Sequence, residues 1–171
     1  MLTVLRTTAL AAMLCMVGLL AACSDDSSPT DPTPSEDDGS ITFTVNGGGL
    51  SNKIFSFADS SSFSVYSSVN DFTVIRFNGK VDGKATSIIV TFKGTSKNTR
   101  QLDGTTSEGV TTQWGTNDYI AMTQGSIVLT KYDGVGGDVA GTFSGTGVGT
   151  VNGQIATFTI SAGSFTSKRA S

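Results

Sequence analysis

Phe72-Thr73-Val74-Ile75-Arg76-Phe77 and Ser87-Ile88-Ile89-Val90-Thr91-Phe92 stand on either side of Asp82-Gly83. In both runs large apolar residues recur at every second position, which buries one face of a strand; a helix would need a period of about 3.6. Asp82-Gly83, and Asn78-Gly79 before it, read as turns, because Asn, Asp and Gly tolerate the positive φ angles of a hairpin. The second run is the most apolar strand, with Ile88, Val90 and Phe92 on one side and Ile89 on the other, which places it in the middle of a sheet.

The same period extends in both directions. Upstream, Ile41 to Val45 and Ile54 to Phe57 flank Asn46-Gly47-Gly48-Gly49, and Phe63, Val65, Ser67 and Val69 share one face of a third run that ends at Asn70-Asp71. Downstream, strands are expected over Tyr119 to Thr123, Ser126 to Tyr132, Val139 to Gly145, Ile155 to Ile160 and Ser164 to Ser167. Asp133 to Asp138, Asn152-Gly153 and Ala162-Gly163 punctuate them as turns. Gly145-Thr146-Gly147-Val148-Gly149-Thr150 reads as a strand end and turn, since no helix follows to make it a phosphate loop. About nine or ten short strands predict a single all-β domain, an antiparallel β-sandwich with a small β-barrel as the alternative. Alternation assigns its core to Phe43, Phe57, Val65, Ile75, Val90, Phe92, Ile120, Leu129, Phe143, Phe158, Ile160 and Phe165.

Between Lys93 and Asp118 the pattern lapses, and this is expected to be the longest irregular segment. It holds the only tryptophan, Trp114, with Tyr119 just beyond it and Asp103, Glu108 and Asp118 as acceptors. An aromatic face beside carboxylates could grip a sugar, so Trp114 and Tyr119 are the candidate ligand-binding residues. The alternative role for Trp114 is to anchor the loop against the domain.

Residues 1–22 have the make-up of a secretory signal: Arg6 near the start, an apolar run from Ala9 to Leu20, then small residues. The run from Ala9 to Ala22 is shorter than the roughly 20 residues a membrane span needs. Leu20-Ala21-Ala22-Cys23 resembles the lipobox of bacterial lipoproteins, and the resemblance implies cleavage before Cys23, diacylglycerol in thioether linkage to its sulfur, and palmitate as a further acyl chain of the anchor. Residues 23–40 follow as an acidic, Pro- and Ser-rich tether with six acids, no base and all three prolines, too polar to join a core. Residues 41–171 then form the β-domain. Ser24 after the cysteine is similar to the outer-membrane choice of lipoprotein sorting, so the expected location is the bacterial cell envelope, at its outer membrane.

The run from Ser126 to Gly145, with its Gly141-Thr142-Phe143-Ser144-Gly145 strand, and the run from Phe158 to Phe165 resemble small uncharacterised bacterial lipoproteins with a Gly/Thr-rich all-β C-terminal domain. The resemblance implies an extracytoplasmic β-domain and brings no catalytic residue. The chain has no histidine, and Cys15 and Cys23 are its only cysteines, one in the leader and one at the lipobox. Serine triads, histidine metal sites and cysteine nucleophiles are therefore excluded, and no enzyme activity or cofactor is expected. Asp133 and Asp138, around a glycine-rich turn, are weak calcium candidates. The domain carries ten bases and eight acids, without the basic cluster of a nucleic-acid binder. The expected role is a membrane-anchored, non-enzymatic structural or interaction module with a protein or glycan partner; a carbohydrate-binding module using Trp114 is the alternative.

Overall fold

The computed structural model describes residues 39–171; the expectations for the leader, Cys23 and the tether up to residue 38 fall outside the described residues. Within them the chain forms nine strands and no helix. These are β1 (Gly39–Gly47), β2 (Leu50–Ser67), β3 (Phe72–Val81), β4 (Lys84–Lys93), β5 (Thr99–Asp103), β6 (Gly109–Trp114), β7 (Asp118–Tyr132), β8 (Asp138–Val151) and β9 (Gln154–Lys168). The named strands all pair antiparallel, β9 pairs with β1 and β7 with β8, so the sheet curls round and closes on itself. The all-β class and strand number follow from the alternation, and of the two antiparallel arrangements it allows, the pairings trace the barrel.

Turns form where the sequence places them after Asn46, at Asn70-Asp71 and between Asp133 and Asp138, and two more are of one kind. Asp82 and Gly83 (φ 51° and 76°) join β3 to β4, and Asn152 and Gly153 (φ 50° and 76°) join β8 to β9, both as two-residue hairpins of positive φ. Alternation then sends one residue in two inward. Phe43 stacks on Phe55 at 5.1 Å and packs against Phe143 at 5.5 Å, while Phe55 meets Trp114 edge-on at 5.5 Å. Burying each such side chain contributes about 1.5–3 kcal/mol, and with no disulfide in the domain this packing holds the barrel.

Several expectations need correcting. The segment from Lys93 to Asp118 is not one irregular loop: it contains β5 and β6, which pair end to end along the same edge of β7, Thr99 to Asp103 opposite Val128 to Gln124 and Val110 to Trp114 opposite Met122 to Asp118. They act as one interrupted strand, hidden in the sequence because its inward positions hold Leu102, Val110, Thr112 and Trp114, too sparse to show a period. Asn78-Gly79 is not a turn but lies inside β3, where the missing side chain of Gly79 makes room for the Phe57 ring. Gly145 to Thr150 is the continuation of β8, with Gly145, Gly147 and Gly149 facing the β7 backbone so closely that a Cβ would meet a carbonyl oxygen at 1.9–2.1 Å. Ala162-Gly163 is a bulge within β9, and Thr123 to Gly125 one within β7.

The largest correction concerns β2. Phe55 and Phe57 face inward, yet further along it is Ser62 and Ser64 that are buried while Phe63 and Val65 turn out to solvent. Inward positions change from odd to even between 57 and 62, where β2 leaves β1 as its partner and joins β3, and one such step reverses every later side chain. Small residues are required there: Gly39 closes on the Ser62 hydroxyl, and the chain end crosses beside Ser64, whose carbonyl accepts from Ala170 N–H at 2.7 Å. Val65 is thus no core residue; the other eleven expected core side chains are buried.

Candidate functional site

One end of the barrel carries the β1–β2, β3–β4, β6–β7 and β8–β9 turns, and here lie the residues picked out for ligand binding. Trp114 ends β6 facing inward and is buried, its indole N–H donating to the Val81 carbonyl at 3.2 Å. Lys84 and Lys53 hold their ammonium groups 4.3 and 5.3 Å from its ring centroid, and Phe55 packs edge-on against it. Tyr119, one strand position past inward-facing Asp118, points out from the barrel wall. Trp114 and Tyr119 are therefore not brought together on one surface. Asp103 and Glu108 are also elsewhere: Asp103 accepts from the Thr105 hydroxyl at 2.6 Å and its N–H at 2.9 Å, which holds its carboxyl below the usual range, and Glu108 accepts from Lys93 N–H at 2.7 Å.

Asp118 stays with Trp114 as part of this end. It is buried, accepts from Asn152 N–H at 2.8 Å and pairs with Lys84 at 3.3 Å, tying three hairpins together. Beside it an open cleft of about 610 Å³ is lined by Lys84, Trp114, Thr116, Asn117, Asp118 and Asn152.

The opposite end holds the calcium candidates. Asp138 is gripped by Lys131 at 2.5 Å and Lys168 at 2.7 Å, and Asp133 by Lys131 at 3.2 Å. These two ammonium groups lower the Asp138 carboxyl to about 2, and the two carboxylates raise Lys131 above the usual amine range. The oxygens a cation would need are engaged by lysines. The same end is closed by Arg169, whose guanidinium lies 5.1 Å from the Tyr132 ring and 5.8 Å from that of Tyr66. Tyr132 and Thr73 share a hydroxyl hydrogen bond of 2.8 Å. Tyr66 donates to Asp71 at 3.1 Å, and that bond raises its phenol above the ordinary range.

Between the two ends, the outer wall of β2, β3 and β4 has a character the sequence reading missed. The register aligns Phe63 with Arg76 and Ile89 in one row, Val65 with Val74 and Thr91 in the next, and Phe72 with Lys93 in the third, all pointing outward. Lys80 extends the wall toward the β3–β4 turn, and Lys97 stands in the loop after β4. Lys53, Lys84, Arg100, Lys131 and Lys168 all pair with carboxylates, whereas Arg76, Lys80, Lys93 and Lys97 have no ion-pair partner among the described residues. No carboxylate occupies an outward position of β3 or β4. The signal available in the sequence is Arg76 amid apolar neighbours, and it is masked by an alternation that points Phe63 and Val65 inward.

Comparison with known proteins gives no match among family models, curated proteins or solved structures.

Proposed function

We propose that the chain is a lipid-anchored, non-enzymatic interaction module of the bacterial cell envelope that works through the outer wall of its barrel rather than through a cavity. The observation that carries this reading is the coincidence on one wall of Phe63, Val65, Phe72, Val74 and Ile89 with cations lacking carboxylate partners. Apolar side chains on a sheet face gain nothing from water, and a contiguous patch of them among polar neighbours is the mark of a contact surface. The anchor rests on Leu20-Ala21-Ala22-Cys23.

The carbohydrate-binding reading needs a free ring face, and Lys84, Lys53 and Phe55 crowd the Trp114 ring. A photo-crosslinking residue placed at Phe63 in intact cells should form adducts, and the same residue at Val148, three strands round the ring on β8, should not. Equal labelling from both positions would remove the outer wall of β2–β4 as the contact surface. Release of a Cys23→Ser variant from membranes tests the anchor separately.

A further inference from the structure

The geometry points to an anionic lipid surface as the partner of the β2–β4 wall, with the barrel lying on its side against the membrane that holds it. This rests on the outer-wall reading above. No cation of the wall has an ion-pair partner among the described residues, β3 and β4 carry no outward carboxylate, and Glu108, which accepts from the Lys93 N–H, is paired with Arg100; a second copy of this chain would bring the same sign to the same place. The complement must therefore be anionic, and it must also accept apolar side chains.

From Phe72 to Lys80 the wall runs about 27 Å along β3, at roughly 3.4 Å per residue. Its cations are spread over that length rather than gathered in a pocket: Lys80 near one end, Arg76 in the middle, Lys93 opposite Phe72, and Lys97 in the loop beyond. Phe63, Val65, Val74 and Ile89 fill the space between them. A lipid headgroup layer meets such a surface anywhere along it, with phosphates against the cations and glycerol carbons against the apolar rows. Basic and apolar side chains on one face are also the composition that holds interfacial elements at anionic bilayers.

The described chain begins at Gly39, which pairs with Ser60 of β2, a strand of this wall. At the same end the β2–β3 turn carries Val69, 91% exposed, continuing the apolar surface toward the side where the tether joins. A lipid on Cys23 would keep the domain at a high effective concentration beside the bilayer, so each contact could be weak and still be occupied.

The test uses the chain from Ser24 onward without lipid, so that only the protein surface can bind; the core residues all lie between Ile41 and Phe165, and this chain keeps them. Co-sedimentation is measured with vesicles of phosphatidylcholine alone and of phosphatidylcholine with phosphatidylglycerol, alongside soluble polyglutamate. Wild type should sediment with the anionic vesicles and not with the neutral ones, and added salt should weaken binding. Arg76→Gln and Lys93→Gln should each lower binding about fivefold, and Phe63→Ser with Val65→Ser should lower it severalfold. Val148→Ser with Ile155→Ser should leave it unchanged, with circular dichroism confirming that each variant is folded. Failure to bind anionic vesicles, equal binding to neutral ones, or binding indifferent to the wall variants would overturn the proposal. Binding of polyglutamate without binding of vesicles would also overturn it, while leaving the outer wall as a contact surface for an acidic polymer.

Discussion

The wall formed by β2, β3 and β4 and the opposite wall of β7, β8 and β9 obey the same alternation and turn different chemistry outward. The second is a lattice of hydroxyls, Ser126, Thr142, Ser144, Thr146, Thr157, Thr159 and Ser164 among them, and its charged residues Lys131, Asp133, Asp138 and Lys168 neutralise one another at its edge. Its exposed apolar side chains, Tyr119, Val148 and Ile155, are separated by Thr150 and Thr157. Threonine is favoured in strands, and strand formation alone accounts for that wall. It does not account for Phe63, Ile89 and an unpaired Arg76 facing outward side by side. The contrast teaches that function is to be sought where an outward position departs from what the sheet itself requires.

The widest separation is expected between two phenylalanines on opposite sides of the same sheet. Phe92 points inward and is buried, and Phe63 points outward. In urea unfolding, Phe92→Ala should cost about 3–5 kcal/mol and Phe63→Ala within about 1 kcal/mol. If both were equally costly, the change of parity in β2 would be wrong and the first wall would lose its apolar row.

A second measurement sets the wall against the barrel end. Trp114→Phe keeps a ring beneath Lys84 and removes the hydrogen bond to Val81, so it should cost about 1 kcal/mol, the usual worth of one such bond. No change in binding to glycans or vesicles should accompany it. Loss of a binding activity at unchanged stability would move the functional site from the wall to the cleft beside Asp118.

How far the sequence could be read follows from these same residues. Strands with a large residue at each inward position, such as Ile88-Val90-Phe92 and Phe158-Ile160, were legible because each inward side chain fills the core by itself. Where volume is shared across strands, legibility fails: β8 leaves Gly145, Gly147 and Gly149 inward because the β7 backbone lies against them. Ser62 and Ser64 are inward because other chain segments approach them. Period alone could not have shown this, since Ser62-Phe63-Ser64-Val65 alternates equally well in either parity, and burial of the larger residues is the natural choice. The candidate site suffered from the same error. Trp114 stands alone in the sequence, but its partners Lys84, Lys53 and Phe55 come from distant strands, and only the register brings them to its ring.

Ser64 offers a smaller and more local check on that parity. Its hydroxyl is fully buried and finds no hydrogen-bond partner among the described residues. Removing an unsatisfied buried hydroxyl relieves its desolvation, so Ser64→Ala should be neutral or stabilise by up to about 1 kcal/mol. Val65→Ala next to it, facing outward, should change stability little. A clear loss in Ser64→Ala would mean that the hydroxyl is bonded and that the inward end of β2 is packed differently.

The smallest effect is expected at the edge of the hydroxyl wall, and its sign depends on the paired charges there. Lys131 and Lys168 hold the Asp138 carboxyl at about 2 in the folded chain, below its ordinary value near 3.8. Protons therefore bind the unfolded chain more readily between those values, and the stabilisation from Asp138 is fully present above about pH 4, falls through the interval, and is gone below pH 2. A partly exposed pair of this kind is worth about 1 kcal/mol or less. Asp138→Asn should thus lower the melting temperature slightly at pH 7 and converge with wild type as the pH approaches 2. Lys131 titrates above the ordinary amine range, outside that interval, so it stays charged throughout and does not blur the reading. Arg76→Gln on the other wall, where no carboxylate is paired, should run parallel to wild type across the same range. If it converged with wild type in the way Asp138→Asn does, Arg76 would have an acidic partner in the folded chain, and the difference between the two walls would narrow.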